Sequence, residues 1–136
     1  MACLDTSVLL DLLGRGGRPR RRQAADVVRR LIAGGESLTT TRFNVAELWV
    51  GVARSRDRAR EERAIAAVLG GLQVLEFDAA AARVFAEITG YLQRLGRPAG
   101  DMDVLIGAVA LVNEEGLVTR DAKHFARMPG LKVESY

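Results

Sequence analysis

The sequence predicts an α/β fold: a three-layer α/β/α sandwich around a mostly parallel central sheet. Three observations lead there. Short β-favouring runs alternate with helical patterns along all 136 residues, the signature of strands joined by helical crossovers. No internal repeat, low-complexity tract or linker breaks the alternation, so residues 1–136 read as a single domain. Apolar residues at 49% and charged residues at 27% are the balance of a chain that buries a real core.

Residues 2–5 read as a first strand, and residues 7–13 as a first helix stopped by Gly14. GRGGRPRRR, residues 14–22, reads as a loop rich in glycine and arginine. Residues 23–33 carry Ala24, Val27, Val28, Leu31 and Ile32 at helical spacing and end at Gly34-Gly35. Residues 37–40 are polar but β-favouring and read as a second strand. A helix over 42–53 follows a threonine cap. The charged segment 55–62 leads into a helix over 64–69, and residues 72–77 alternate like a strand. Asp78 caps a long helix whose buried stripe is Val84, Phe85, Ile88, Tyr91, Leu92 and Leu95. After the breaker GRPAG, Asp101 opens an apolar helix through Val112. A strand over 117–119, a short helix over 122–126 and a last strand over 131–134 complete the chain.

No apolar run approaches the roughly 18 residues that a membrane span needs. The first apolar block is interrupted by Asp5 and Asp11, so neither a signal peptide nor a membrane location is expected. The single cysteine, Cys3, excludes an internal disulfide and a cysteine-based zinc site, and is expected inside a strand. A cytoplasmic protein is the expectation.

The net charge of +3 hides an asymmetry. Residues 15–60 carry twelve arginines against Asp26, Glu36, Glu47 and Asp57, a balance of +8, whereas residues 61–136 are acidic by three charges. A basic first half suits a polyanionic partner. The arginines of the segments 15–22 and 53–60, with Arg15, Arg18, Arg20, Arg54 and Arg56 flanking the predicted loops, are either backbone-holding contacts or solvated helix faces.

Four acids stand where a core or crevice belongs. In open parallel sheets, ligands bind beyond the carboxyl ends of the strands. Asp5 ends the first strand, and Asp121 follows the strand over 117–119. Glu47, in FNVAELWVG, has Phe43, Val50 and Gly51 as helical neighbours and so reads as facing the apolar side of its helix. Asp103, in GDMDVLIGAVALV, lies in the first turn of a helix that is apolar on nearly every face. Taken singly, Asp5 and Asp121 are also suitable helix caps, and Asp103 complements a helix N-terminus. Gathered together, the four would repel one another, and a divalent cation would remove the repulsion. With no cysteine pair, and with His124 read as a surface or half-buried residue, the donors are all hard oxygens. That selects magnesium (Mg2+) or manganese (Mn2+) over zinc.

CLDTSVLLDLL, NVAELWVGV, GDMDVLIGAVAL and LVTRDAKHF followed by MPGLKVESY, in that order, resemble PIN-domain proteins of the VapC toxin type. No block is specific alone; the four in order and spacing cover nearly the whole chain. The resemblance implies a PIN-like fold and a metal-dependent endoribonuclease that cuts single-stranded or looped RNA, leaving a 3′-hydroxyl and a 5′-phosphate. It carries the acidic positions over to Asp5, Glu47, Asp103 and Asp121. The hydroxyl near the first acid matches Thr6 or Ser7, and the one before the fourth acid matches Thr119. Many relatives have asparagine where this chain has Asp121. Asp5 and Asp103 are assigned as direct ligands, Glu47 as a residue that orients water or holds a second ion, and Asp121 as completing the shell with Ser7 and Thr119 in support. Asp101 either caps its helix or joins the outer coordination sphere. The resemblance further implies a homodimer and a cognate antitoxin protein as partner. Trp49 is assigned to a subunit contact ahead of base stacking.

Two other classes remain open. DMDVL has a faint likeness to the aspartate pair of haloacid-dehalogenase phosphatases, although that pair follows a buried strand and this one follows GRPAG. A receiver-like or RNA-binding module that holds magnesium without cutting would place a lysine at the end of its last strand. Lys123 and Lys132 are the only two lysines here, and neither is evident in that role.

Overall fold

The computed structural model describes residues 1–136. The order of elements is β1 (Ala2–Leu4), α1 (Thr6–Leu12), α2 (Arg18–Ala33), β2 (Leu38–Thr41), α3 (Arg42–Arg54), α4 (Arg58–Leu69), β3 (Gln73–Leu75), α5 (Ala79–Arg94), α6 (Asp101–Val112), β4 (Gly116–Val118) and β5 (Val133–Glu134), with a single 3₁₀ turn at Ala122–His124. The five strands form one sheet in the order β3-β2-β1-β4-β5, and every pairing is parallel. The expected three-layer sandwich is therefore present, with a sheet that is wholly rather than mostly parallel.

Strand alternation separates the two helical layers. In β1, Ala2 and Leu4 point into one apolar cluster with Leu9, Ala24, Leu31, Leu48 and Ile65, from α1 to α4. Cys3, between them, points into the other, with Ile88, Leu92, Val104, Ile106 and Phe125. In β4, Val118 and Leu117 divide in the same way. Both faces of these central strands are covered, which is why they read as unbroken apolar runs.

Local capping explains where the helices begin. Thr41 Oγ1 accepts from the Asn44 amide at 3.2 Å, and Asn44 Oδ1 accepts in return from the Thr41 amide at 3.1 Å, a reciprocal box at the head of α3. Asp78 Oδ1 caps α5 through the Ala81 amide at 2.8 Å. Asp57 caps α4 through the Arg60 amide at 3.2 Å, so that helix starts at Arg58, six residues before the apolar run suggested. Residues 18–22 are likewise the first turn of α2, not loop: Pro19 fits a helix N-terminus, and Gly17, at φ 89°, makes the entry. The expected helix over 122–126 is only the 3₁₀ turn, and the edge strands β3 and β5 are shorter than the apolar runs that contain them. Ile88 and Leu92 of α5 are buried, but Tyr91 and the C-cap residue Leu95 face solvent, because the helix packs mainly against α6 and buries a narrower stripe than its sequence offers. No helix is long and apolar enough to cross a membrane.

The path of the chain creates a crevice. From β1 the chain runs to β2 and β3 on one side, and then returns past β1 to β4 and β5 on the other. The carboxyl ends of β1 and β4 are in register, Leu4 beside Val118, so Asp5 and Thr119 emerge side by side at the switch point. Leu117 is fully buried in the central pair of strands. Leu117→Ala is expected to cost about 3 kcal/mol, read as a lower urea midpoint with an unchanged slope.

Candidate active site

Asp5 occupies the N-cap position of α1, yet its side chain caps nothing. Its carboxylate accepts three hydrogen bonds from three other elements or turns of the fold. Oδ2 takes Thr119 Oγ1 at 2.8 Å and Ser7 Oγ at 3.1 Å, and Oδ1 takes Asn44 Nδ2 at 3.1 Å. Each hydroxyl has one proton and spends it on Asp5, so the 3.2 Å approach of Ser7 Oγ to Thr119 Oγ1 is a consequence of their shared acceptor. The same hydroxyls accept in turn from the Arg120 and Asp121 amides, both at 3.0 Å. That ties the segment after β4 to the head of α1.

Asn44 was not among the residues singled out from the sequence. It is fully buried, and its amide nitrogen divides its two protons between Asp5 and Thr6 Oγ1, the latter at 2.9 Å. Thr6 Oγ1 in turn donates to Glu47 Oε1 at 2.7 Å. A line of hydrogen bonds therefore joins Asp5 to Glu47 through one amide and one hydroxyl. Asn44 opens the block NVAELWVGV and lies one turn inside the helix that follows the threonine cap, so in the sequence it read as part of a helix start rather than of a site.

Asp5, Glu47, Asp103 and Asp121 line one open cavity of about 230 Å³, with Ser7, Arg120 and His124 on its walls. Glu47 is half-buried because it leans on Thr6, not because its helix face is apolar: Val50 and Gly51 are exposed. Burial raises the Glu47 carboxyl above its ordinary range; the Thr6 hydrogen bond opposes this, and the charges of Asp5 and Asp103 add to it. Burial likewise raises Asp103; His124 opposes this, and Asp5 and Asp121 add to it. Glu47 and Asp103 thus each sense the charges of other acids of the cavity. His124 is half-exposed and stands 3.7 Å from Asp103, closer to the acids than its place in the sequence implied. Asp121 precedes the 3₁₀ turn without capping it. Asp101 is exposed and lies outside the acidic cavity, and Gly100 holds the cap position of α6, so Asp101 does not cap its helix as expected.

None of the five arginines flanking the predicted loops lines this cavity; the arginine that does is Arg120. Arg15 pairs with Glu61. Arg18 opens a separate solvent-facing hollow on α2 with Arg21, Arg22 and Arg29, and Arg20, Arg54 and Arg56 are exposed. Trp49 stands on the surface of α3 at 46% exposure.

The donor set is suited to a hard divalent cation: oxygen ligands only, mutually repelling, at the carboxyl edge of a parallel sheet. The side chains do not form a ready-made cage, since no three acidic, histidine or cysteine groups converge to metal-binding distance. An ion would have to draw Glu47, Asp103 and Asp121 inward around the fixed Asp5.

This sheet order, with carboxylates gathered beyond β1 and β4, defines a PIN domain. The PIN-domain family model matches residues 2–131, and the chain belongs to that family. Its relatives are VapC ribonucleases. It is 33% identical over 90 residues to the tRNA(fMet)-specific endonuclease VapC of Shigella flexneri, covering 66% of this chain and 68% of that one. It is 30% identical over 132 residues to ribonuclease VapC19 of Mycobacterium tuberculosis, covering 97% and 98%. The fold superimposes on a chain of VapBC2 from Rickettsia felis, bound to a DNA fragment from its promoter, with a TM-score of 0.86 at 23% identity over 99% and 98% of the two chains.

Each raised carboxyl binds its proton more tightly folded than unfolded, so metal-free stability falls as pH rises from the ordinary carboxylate range through the raised values. Asp103→Asn removes one of these charges. In EDTA at pH 7 it is expected to melt about 4 °C above the wild type, roughly 1 kcal/mol. The gap should narrow as pH falls toward about 4 and close below it, where Asp103 is protonated in the folded and unfolded chain alike. Calorimetry across that range checks it.

Proposed function

We propose that this chain is the toxin of a toxin–antitoxin pair, an endoribonuclease that hydrolyses RNA at the acidic cavity with magnesium or manganese. The observation that carries the reading is the meeting of Asp5, Glu47, Asp103 and Asp121 in one cavity at the switch point of the sheet. The ribonuclease names of the VapC relatives support the reaction, and the VapBC neighbour supports an antitoxin partner. On this reading, residues 1–136 act as one domain. A second copy packs through the exposed apolar side chains of α3 and α5, among them Trp49, Val50, Tyr91 and Leu95.

The residues take distinct tasks. Asp5 and Asp103 hold the ion, with Asp121 completing the set. Bound there, the ion supplies a Lewis acid for the scissile phosphate and stabilises the leaving oxygen. Asn44, Ser7 and Thr119 fix Asp5, so at least one ligand is placed before the ion arrives. Glu47 Oε1 is taken by Thr6, which leaves Oε2 to orient water and accept its proton, a task that the raised Glu47 carboxyl suits.

The rival readings fare worse. DMDVL opens α6 instead of ending a strand, which is the wrong setting for the phosphatase pair. Lys132 lines a hollow with Met1, Glu36 and Glu114 rather than the acidic cavity, and Lys123, near Asp103, lies in the 3₁₀ turn rather than at the end of the last strand, so a receiver-like site lacks its lysine.

Purified protein with Mg2+ or Mn2+ is expected to cut single-stranded RNA. Asp5→Asn and Asp103→Asn should each lose about 100-fold or more, and Ser7→Ala about tenfold. Full cleavage in excess EDTA, or by both asparagine variants, would defeat the reading; release of phosphate from a small phosphomonoester with RNA left intact would favour a phosphatase.

A further inference from the structure

The acidic cavity has a problem of its own making: four carboxylates face a substrate that is itself a polyanion. Only two basic side chains line the cavity, Arg120 and His124. Arg120 is held in an unusual way. Asp11 is fully buried, at 0% exposure, one helical turn after the site residues at the head of α1. Its Oδ1 accepts Arg120 Nη1 at 2.6 Å, and its Oδ2 accepts the Tyr136 hydroxyl at 2.8 Å. Gly16 closes over the same carboxylate so tightly that a Cβ there would collide with Oδ1. Arg120 is meanwhile fixed at its backbone, its amide donating to Ser7 Oγ at 3.0 Å.

A carboxylate buried on this scale is stable only when paired, and Arg120 is its cation. That accounts for the pair but not for its direction. Arg120 keeps 28% of its side chain exposed while its partner keeps none, and Arg120 is one of the residues that line the acidic cavity. A guanidinium has five N–H donors in a rigid fork, and Asp11 accepts from Nη1 alone. The remaining donors match the oxygens of a phosphate.

We propose that Arg120, anchored by Asp11 and Tyr136, binds a backbone phosphate of the RNA beside the cavity, and that Asp11 is a positioning residue acting through it. The inference rests on the ribonuclease reading. The arginine touches substrate, and the buried carboxylate keeps it from swinging inward to neutralise Asp5, Glu47 or Asp121. The two demands on the cavity, metal and phosphate, thereby fall to separate side chains.

The test is binding of a short labelled single-stranded RNA in EDTA, where no cleavage occurs, measured by fluorescence anisotropy across a salt series. The neutral double variant Asp11→Asn with Arg120→Gln leaves no buried charge unpaired. It is expected to bind about tenfold more weakly, with a salt slope shallower by about 0.7, the share of one phosphate on a single strand. Arg120→Lys should keep the slope and lose about threefold in affinity, having the charge without the fork. Asp11→Asn alone should also keep the slope while losing affinity. With Mg2+ added, the double variant should raise KM and leave kcat within about twofold of the wild type. Wild-type affinity and slope in the folded double variant would overturn the proposal. If that variant does not fold, Asp11→Leu with Arg120→Met fills the same space and is read the same way. A wild type that neither binds nor cuts RNA overturns the ribonuclease reading as well, whereas one that cuts RNA and is indifferent to Arg120 overturns this inference alone.

Discussion

The structure depends on how one buried carboxylate is held. Asp5 lies at the end of the central strand, where an unpaired charge would cost several kcal/mol. It is held by donors from α1, α3 and the end of β4, contributed by Ser7, Asn44 and Thr119. Those elements belong to different parts of the chain and different layers of the fold. Meeting the needs of Asp5 therefore fixes where α3 begins and where β4 stops. Glu47 follows from Asn44 through Thr6, and the loop carrying Arg120 and Asp121 follows from the two hydroxyls. Much of the cavity is a chain of consequences from that one acceptor.

A second buried carboxylate does complementary work. Asp5 is ringed by neutral donors and keeps its charge available to the cavity, whereas Asp11 is matched with a guanidinium. Two aspartates six residues apart on the same short stretch thus have opposite electrostatic outcomes. One leaves a negative site open to a cation, and the other turns a positive group toward the same opening. Placing them at the two ends of α1 lets a single helix set the spacing between them.

The features that could be read in the sequence were those carried by contrast. An acid inside an apolar run stands out, so Asp5, Glu47, Asp103 and Asp121 were visible as a group, and the parallel sheet that gathers them followed from the alternation of strands and helices. The caps at Thr41 and Asp78 were equally plain. Asn44 was hidden because a polar residue at a helix start already has an ordinary explanation. Asp11 and Arg120 were hidden because a charge pair separated by 109 residues leaves no local trace. The arginine-rich segment misled in the other direction: its charge density looked like loop, but Pro19 and the residues after it start a helix. Tyr91 and Leu95 have the spacing of a core and still face solvent, because periodicity reports which side of a helix is apolar and not how much of it is covered.

The contact between Asp5 and Thr119 spans 114 positions of the chain. A ribosome making this chain therefore releases Asp5 114 residues before the hydroxyl that steadies it. Over that interval Asp5 lacks one of the three donors that hold its carboxylate. The acidic cavity is therefore incomplete until β4 pairs with β1, and it exists only as a property of the whole fold.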